Sequence, residues 1–139
     1  MGLNRLFMRA AAKNAALTMT MGGSGYQYGY SRYNATFGED EGNVQHDGKA
    51  VTLVILSYYG GWLDFAFNVE GVTGGKYNVT VKVTSVESNT SATVEFPNIQ
   101  YQSYISGFYE YTNDLPSEVA TMFKAANVGK KFKVEIVFN

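Results

Sequence analysis

The chain has 139 residues, the length of one ordinary domain, and its 11 basic and 12 acidic residues leave a formal charge of −1. This balance excludes a strong electrostatic footprint for nucleic acid or for an anionic membrane. The absence of cysteine excludes disulfides and cysteine nucleophiles. We expect no membrane span, because no apolar run approaches the roughly 20 residues that a span needs. We also expect no export signal.

Residues 3–17 are predicted to form a short helix, since apolar residues recur there at near-helical spacing in an alanine-rich segment. The helix is followed by a glycine-rich stretch at 22–25, which makes it a candidate docking segment for a neighbouring subunit. The alternative is a terminal helix that packs on its own domain. The predicted docking residues are Leu3, Leu6 and Phe7 on the apolar side, with Arg5 and Arg9 beside them.

The middle of the chain has the pattern of short strands separated by glycine turns. Residues 51–56 form an apolar, β-branched run, and residues 62–67 form another after Gly60 and Gly61, which predicts a hairpin. A further turn at 74–75 precedes residues 77–83, where apolar residues alternate strictly and so lie on one face of a strand.

The last third continues this pattern with one helical interruption. Residues 92–96 are predicted to form a strand that stops at Pro97, and residues 108–111 a further strand. A helix over 118–126, capped by residues 114–117, should present Val119, Met122, Phe123 and Ala126 to the core. Residues 131–138 then alternate as the closing strand.

These elements predict a mainly β fold, an antiparallel β-sandwich or a barrel-like domain, with a short N-terminal helix and one helix before the last strand. The predicted organisation is a helix and first strand at 1–21, a glycine-rich linker at 22–25 and the β domain at 26–139.

The only histidine, His46, lies within the acidic loop at 39–47 and directly precedes Asp47 and Gly48. Oxygen ligands of this kind suit a divalent cation, but the spacing is not that of a calcium loop. We therefore interpret Asp47 and Gly48 as a turn and expect no metal and no cofactor.

Acidic residues that could work in pairs are also present. Asp64 with Glu70, and Glu110 with Asp114, lie where alternation predicts exposed strand or loop positions. Two carboxylates suffice for glycoside hydrolysis, so carbohydrate cleavage stays an alternative. No pattern singles out a pair, and the prediction is a protein without catalytic residues.

Tyrosine is in surplus, with 11 tyrosines beside 9 phenylalanines. Tyrosine brings large contact area at little cost in side-chain entropy, which favours interface anchoring over stacking on sugars or on single-stranded bases. For any individual tyrosine the favoured alternative is that it fills the core or is an ordinary strand residue. The predicted surface or interface residues are Tyr26, Tyr28, Tyr30, Arg32, Tyr33, Tyr101 and Tyr104.

One ordered series of motifs resembles a known domain. A Tyr-Gly-Tyr-Ser segment within 25–32 is followed by Phe37 and Gly38, by an Asp-Gly-Lys entry at 47–49 into an apolar strand ending in tyrosines, and by the glycine turn and aromatic strand at 60–65. The series resembles the small β domain of bacteriophage tail-fibre and other tail-associated proteins, over roughly residues 20–70 and more loosely over 128–134.

That resemblance implies a structural component of a bacteriophage virion, assembled in the host cytoplasm, tail- or fibre-associated and not an enzyme. Its expected partners are other virion proteins, further copies of itself (a trimer is typical of such parts) and a host-surface glycan. The alternatives are a capsid decoration or head-attached protein, and a carbohydrate-binding or carbohydrate-cleaving module. We expect neither nucleic acid nor a membrane as partner.

Overall fold

The computed structural model describes residues 14–37 and 45–139. Within them the chain is mainly β. The strands are β1 (Asn14–Gln27), β2 (Tyr30–Phe37), β3 (Gln45–His46), β4 (Lys49–Tyr59), β5 (Trp62–Val69), β6 (Lys76–Ser85), β7 (Ser91–Gln102), β8 (Gly107–Thr112) and β9 (Lys131–Phe138). A short helix, α1 (Ser117–Met122), and a 3₁₀ turn (Ala125–Asn127) lie between β8 and β9.

Eight of these strands close into an antiparallel barrel in the order β2-β1-β9-β6-β7-β8-β5-β4. Pairing of β2 with β4, where Arg32 faces Tyr59 and Asn34 faces Ser57, joins the two ends of the sheet. The predicted mainly β, barrel-like fold is therefore confirmed. The two-residue β3 pairs with the start of β4.

Three hairpins turn in two residues that both have positive φ, at Tyr28-Gly29, Asp47-Gly48 and Gly60-Gly61. Such turns match the right-handed twist of the flanking strands. The predicted turns at Asp47-Gly48 and Gly60-Gly61 are confirmed. Two longer connections, β5 to β6 and β8 to β9, pass over two intervening strands at the ends of the barrel.

The inward side chains fill the barrel, as expected for eight strands. On β9 the predicted alternation is confirmed, because Phe132, Val134, Ile136 and Phe138 are all buried. Phe67 lies at the centre of an aromatic cluster, with its ring 4.9 Å from that of Phe108 and 5.1 Å from that of Phe138. Aromatic packing of this kind adds to the free energy gained from burial.

The end of the barrel at which β6 finishes and β9 begins is covered by α1. Val119, Met122 and Phe123 are buried in the core, and the ring of Phe123 lies 5.6 Å from that of Tyr58. At the opposite end the His46 ring packs 5.2 Å from Tyr77. The predicted inward position of Val119, Met122 and Phe123 is therefore confirmed.

Near the N-terminus the structure differs from the sequence prediction. Residues 14–17 belong to β1 rather than to a helix, and Leu17 is a core residue opposite Val134 of β9. The predicted docking residues Leu3, Arg5, Leu6, Phe7 and Arg9 lie outside the described residues.

The predicted linker at 22–25 is also part of β1. Gly22 pairs with Asn34 of β2, and a bulge follows between Gly23 and Tyr26, where Gly25 has a φ of +57°. Gly22 therefore allows the two strands to approach closely, and Gly25 lies in the bulge; both are known roles of glycine within a strand.

Two predicted ends were wrong. β7 continues past Pro97 because a bulge accommodates the proline, and the next amide, that of Asn98, donates to Oδ1 of Asn78 at 2.9 Å. The helix ends at Met122, so Ala126 lies in the following 3₁₀ turn, where it is exposed instead of facing the core. The predicted cap at 114–117 was also wrong, because no side chain caps the helix N-terminus. Within the described ranges, neither helical segment is long and apolar enough to cross a bilayer.

Candidate binding site

The predicted surface tyrosines divide into two groups. Tyr26, Tyr28 and Tyr30 surround the β1–β2 turn and expose 78%, 82% and 56% of their surface, and Tyr104 exposes 80% at the β7–β8 turn. Tyr33 and Tyr101 instead lie half-buried against the core. Their rings face the barrel interior because each alternates with an outward neighbour, so they do not belong to the exposed surface.

Tyr28 and Tyr30 form part of a concave surface on the outside of the barrel, which we call the aromatic pocket. It has a volume of about 520 Å³, within the range typical of small-molecule sites. Its lining comes from the β1–β2 turn, the β4–β5 hairpin and β8: Gln27, Tyr28, Tyr30, Tyr59, Trp62, Tyr109 and Tyr111.

The hairpin turns bring these rings together. The φ of Tyr28 is +48°, a left-handed conformation that is uncommon for a bulky residue. At Gly60 an added Cβ would lie 2.5 Å from Cδ2 of Tyr30. Glycine at this position therefore allows the Tyr30 ring to lie directly against the β4–β5 turn.

The rings are in contact around the pocket. The ring of Tyr28 lies 6.0 Å from that of Tyr59, and Trp62 lies 5.4 Å from Tyr111, which is itself 6.1 Å from Tyr109. All these pairs are tilted, with centroid separations in the range of interacting aromatic rings. Tyr111 is half exposed, so its ring remains accessible to a ligand.

Asp64 lies beneath the pocket with only 7% of its surface exposed. The sequence predicted an exposed carboxylate here; the prediction was wrong because Asp64 pairs with Tyr111 in the β5–β8 ladder and tyrosine side chains cover it. The hydroxyl of Tyr59 donates to Oδ1 of Asp64 at 3.2 Å. The hydroxyl of Tyr109 also hydrogen-bonds to this carboxyl.

The pKa values of all three groups are raised, mainly by burial. Burial raises the pKa of Asp64 above 3.8, although hydrogen bonds from Tyr109 and Tyr59 and the charge of Arg32 act in the opposite direction. Burial, reinforced by the charge of Asp64, raises the pKa of Tyr59 to about 12. The same causes raise the pKa of Tyr109.

Polar atoms continue from Asp64 onto the neighbouring strands. Asp64 pairs with Ser57, and Ser57 pairs with Asn34 on β2. Ser57 is fully buried, and its hydroxyl, Oδ1 of Asn34 and Nε of Arg32 are buried without a hydrogen-bond partner among the described residues. The predicted surface residue Arg32 is thus half-buried beside the pocket floor.

A second concavity of about 340 Å³ lies on the other side of Tyr109. Ile55, Ala66 and Ile105 give it a mainly apolar lining, and the exposed Tyr104 stands at its edge. Aromatic residues also line it, but Phe67 and Phe108 belong to the buried core, and no carboxyl group is among its lining residues.

The His46 side chain is buried and is not an exposed metal ligand. Its ring is buried at 9% exposure between Tyr77 and Phe138, and its Nε2 lies 3.4 Å from Oδ2 of Asp47. Among residues 14–37 and 45–139, no three His, Cys, Asp or Glu side chains are grouped to hold a metal ion. The acidic positions 38–44 lie outside those ranges.

The sequence prediction missed Tyr59, Trp62, Asp64, Tyr109 and Tyr111 as site residues. The available signal was the alternation itself, since Tyr58 and Leu63 point into the barrel and their neighbours Tyr59 and Trp62 must then point outward. What alternation could not show is that β8 lies next to β5, which brings Tyr109 and Tyr111 to the same place.

Comparison of the chain with protein-family models, with curated proteins and with solved structures finds no match.

Proposed function

We propose that this protein is a non-catalytic structural component of a bacteriophage virion, tail- or fibre-associated, and that the aromatic pocket is its contact surface. The virion assignment comes from the sequence resemblance over residues 20–70. The observation that carries the contact surface is the convergence of six aromatic side chains, from three separate parts of the chain, into one concave area.

The architecture supports a binding role. A closed barrel with a filled interior holds its outer side chains on paired strands, which favours a preorganised contact surface. Tyrosine and tryptophan are the residues most often found at the energetic centres of protein contacts. In the aromatic pocket, Tyr28 and Tyr30 are more than half exposed and Tyr111 is half exposed. These three side chains therefore remain available for contact with a partner.

The arrangement of acidic side chains favours binding over catalysis. Glycoside hydrolysis needs two carboxyl groups that flank the scissile bond, and here Asp64 is the acidic group under the pocket. Two tyrosine hydroxyls hydrogen-bond to it. The pocket lining itself consists of aromatic rings and the amide of Gln27.

The proposal is tested on purified phage particles that carry this chain. Mass spectrometry should detect the chain in the particle. The double variant Tyr28→Asn with Tyr111→Ser should then reduce its incorporation, or the adsorption of the particle to host cells, by about tenfold or more, the effect expected on losing two interface anchors.

Val86→Ser is the matched control, because Val86 is 65% exposed at the β6–β7 turn and lies outside the pocket. This variant should behave as the unchanged protein. Absence of the chain from the particle, or a pocket variant that matches Val86→Ser in both assays, would overturn the proposal.

A further inference from the structure

We infer that the aromatic pocket binds a pyranose ring of a host-surface glycan. This inference rests on the proposed contact function and names the ligand class. It depends on two properties of the pocket, the ring faces that remain open and the direction in which its hydroxyl groups can hydrogen-bond.

The open faces suit the apolar side of a sugar ring. Pyranoses present C–H groups on a face, and the negative face of an aromatic quadrupole attracts them. Tyr28, Tyr30 and Tyr111 expose 82%, 56% and 50% of their surface, and Trp62 lies against Tyr111. The pocket therefore offers aromatic surfaces on more than one side of a small ring.

The hydroxyl groups of Tyr59 and Tyr109 hydrogen-bond to Asp64. A phenol has one proton to donate, so a tyrosine that gives it to a carboxylate keeps only acceptor capacity. Both residues line the pocket, so towards a ligand their phenol oxygens can only accept a hydrogen bond, and Gln27 adds an amide that donates and accepts. Such a set matches sugar hydroxyls, which can supply the protons.

The same hydrogen-bond direction argues against a proline-rich peptide. Such peptides dock in aromatic grooves, but proline lacks an amide proton, and its carbonyls need donors from the groove. Because Tyr59 and Tyr109 hydrogen-bond to Asp64, they are poor donors to a peptide carbonyl. The floor of the pocket therefore favours a ligand that donates.

A quaternary ammonium ion is the other ligand that aromatic cages bind. Burial raises the pKa of Asp64, and the charge of Arg32 is among the influences that oppose this rise, so a cation already offsets part of the negative field of the carboxylate. A positively charged ligand would gain little from the carboxylate, whereas a neutral sugar is unaffected by this compensation.

Tyr28 supplies an independent sign of a binding role. Its position in the hairpin turn, with φ of +48° before Gly29, is one that favours asparagine. A bulky non-glycine residue is destabilised in this conformation, and a ring that is 82% exposed recovers little of that stability by packing. Local rules broken in this way are expected at functional positions.

The test uses Trp62, the single tryptophan of the chain, as a reporter inside the pocket. Its fluorescence is followed while the full-length protein is titrated with methyl glucopyranoside, methyl galactopyranoside and N-acetylglucosamine, and with lipopolysaccharide and wall polysaccharide from the host. We expect a saturable change with at least one glycan, with a Kd on the order of 1 mM for a single ring.

Tyr28→Asn and Tyr111→Ser should each weaken that binding by about tenfold. Tyr28→Asn creates a turn with better local geometry, so its thermal unfolding midpoint should not fall, and a loss of binding cannot be attributed to unfolding. Tyr104→Ser, which removes an equally exposed ring outside the aromatic pocket, should bind a single sugar ring unchanged.

Tetramethylammonium and a proline-rich peptide are titrated in parallel. Saturation by either of these without any response to a glycan would overturn the inference, and so would the absence of a response to all probes. If the chain is present in particles and the pocket variants impair incorporation while no glycan binds, the glycan inference fails and the virion function stands. Absence from particles contradicts the function instead.

Discussion

Gly60 allows the Tyr30 ring to form part of the aromatic pocket, and Gly60→Ala should displace that ring from the pocket. The new Cβ would lie 2.5 Å from Cδ2 and 2.6 Å from Cγ of Tyr30, whereas carbon atoms in contact prefer about 3.5–4.0 Å. The ring must therefore move by about 1 Å or leave. An alanine held at positive φ lowers the free energy of unfolding by about 1–2 kcal/mol. The clash with Tyr30 lowers it by about 1 kcal/mol more, the lower limit for overpacking, because the ring is half exposed.

The assay is urea unfolding of Gly60→Ala in two backgrounds, the natural chain and Tyr30→Ala. In the first the loss of stability should be about 2–3 kcal/mol; in the second only the backbone cost of about 1–2 kcal/mol should remain, so the two sites are coupled. Gly61→Ala is the matched control, because φ is also positive there and its Cβ would meet nothing within 4 Å. Equal losses for Gly60→Ala in both backgrounds would refute this account of the turn.

Three further outcomes are expected. Because the folded state raises the pKa of Asp64 above 3.8, its contribution to stability is lost as pH rises through the folded pKa. Asp64→Asn should therefore gain in stability relative to the natural chain as pH rises above 3.8. A difference in urea unfolding free energy between the two proteins that does not change with pH would contradict this. The pKa of Tyr59 is raised to about 12 in the folded state, so the free energy of unfolding should fall as pH rises from 10 to 12. Tyr59→Phe should make this fall less steep in alkaline unfolding followed by tyrosinate absorbance. Nδ2 of Asn127 donates to the carbonyls of Met122 at 2.8 Å and Thr121 at 3.2 Å. Asn127→Ala should therefore lower the free energy of unfolding by about 1 kcal/mol, which is about 3 °C in the thermal midpoint measured by calorimetry. An unchanged midpoint would show that these hydrogen bonds contribute nothing to stability.

Elements whose pattern is local could be predicted from the sequence. The alternation in residues 131–138 predicts both the bounds of β9 and its buried face, because one side of every barrel strand must be apolar. The two glycines at 60 and 61 predict a hairpin for the same kind of reason, since the turn requires positive φ at both positions.

Features that depend on distant strands could not be predicted in this way. Gly22 resembles a linker residue in sequence, yet it pairs with Asn34 because β1 extends across β9 and β2. Pro97 is a strand breaker in isolation, yet a bulge opposite Asn78 accommodates it. In both cases tertiary pairing outweighs the local preference of the residue.

The candidate site shows the same division. The tyrosines of the β1–β2 turn could be identified from composition and turn signals, and Tyr28 and Tyr30 do line the pocket. Asp64 could not, because its burial depends on Tyr59 across one hairpin and on Tyr109 from β8. A carboxyl's environment depends on neighbours that only the closed barrel brings together.

The central claim, that the aromatic pocket is the contact surface of this protein, is tested most directly by residue-level footprinting. Oxidative labelling of aromatic side chains would be compared by mass spectrometry between free phage particles and particles adsorbed to host envelopes. The account predicts joint protection of Tyr28, Trp62 and Tyr111 on adsorption. Unchanged labelling of these three side chains, with protection appearing elsewhere on the barrel, would contradict it.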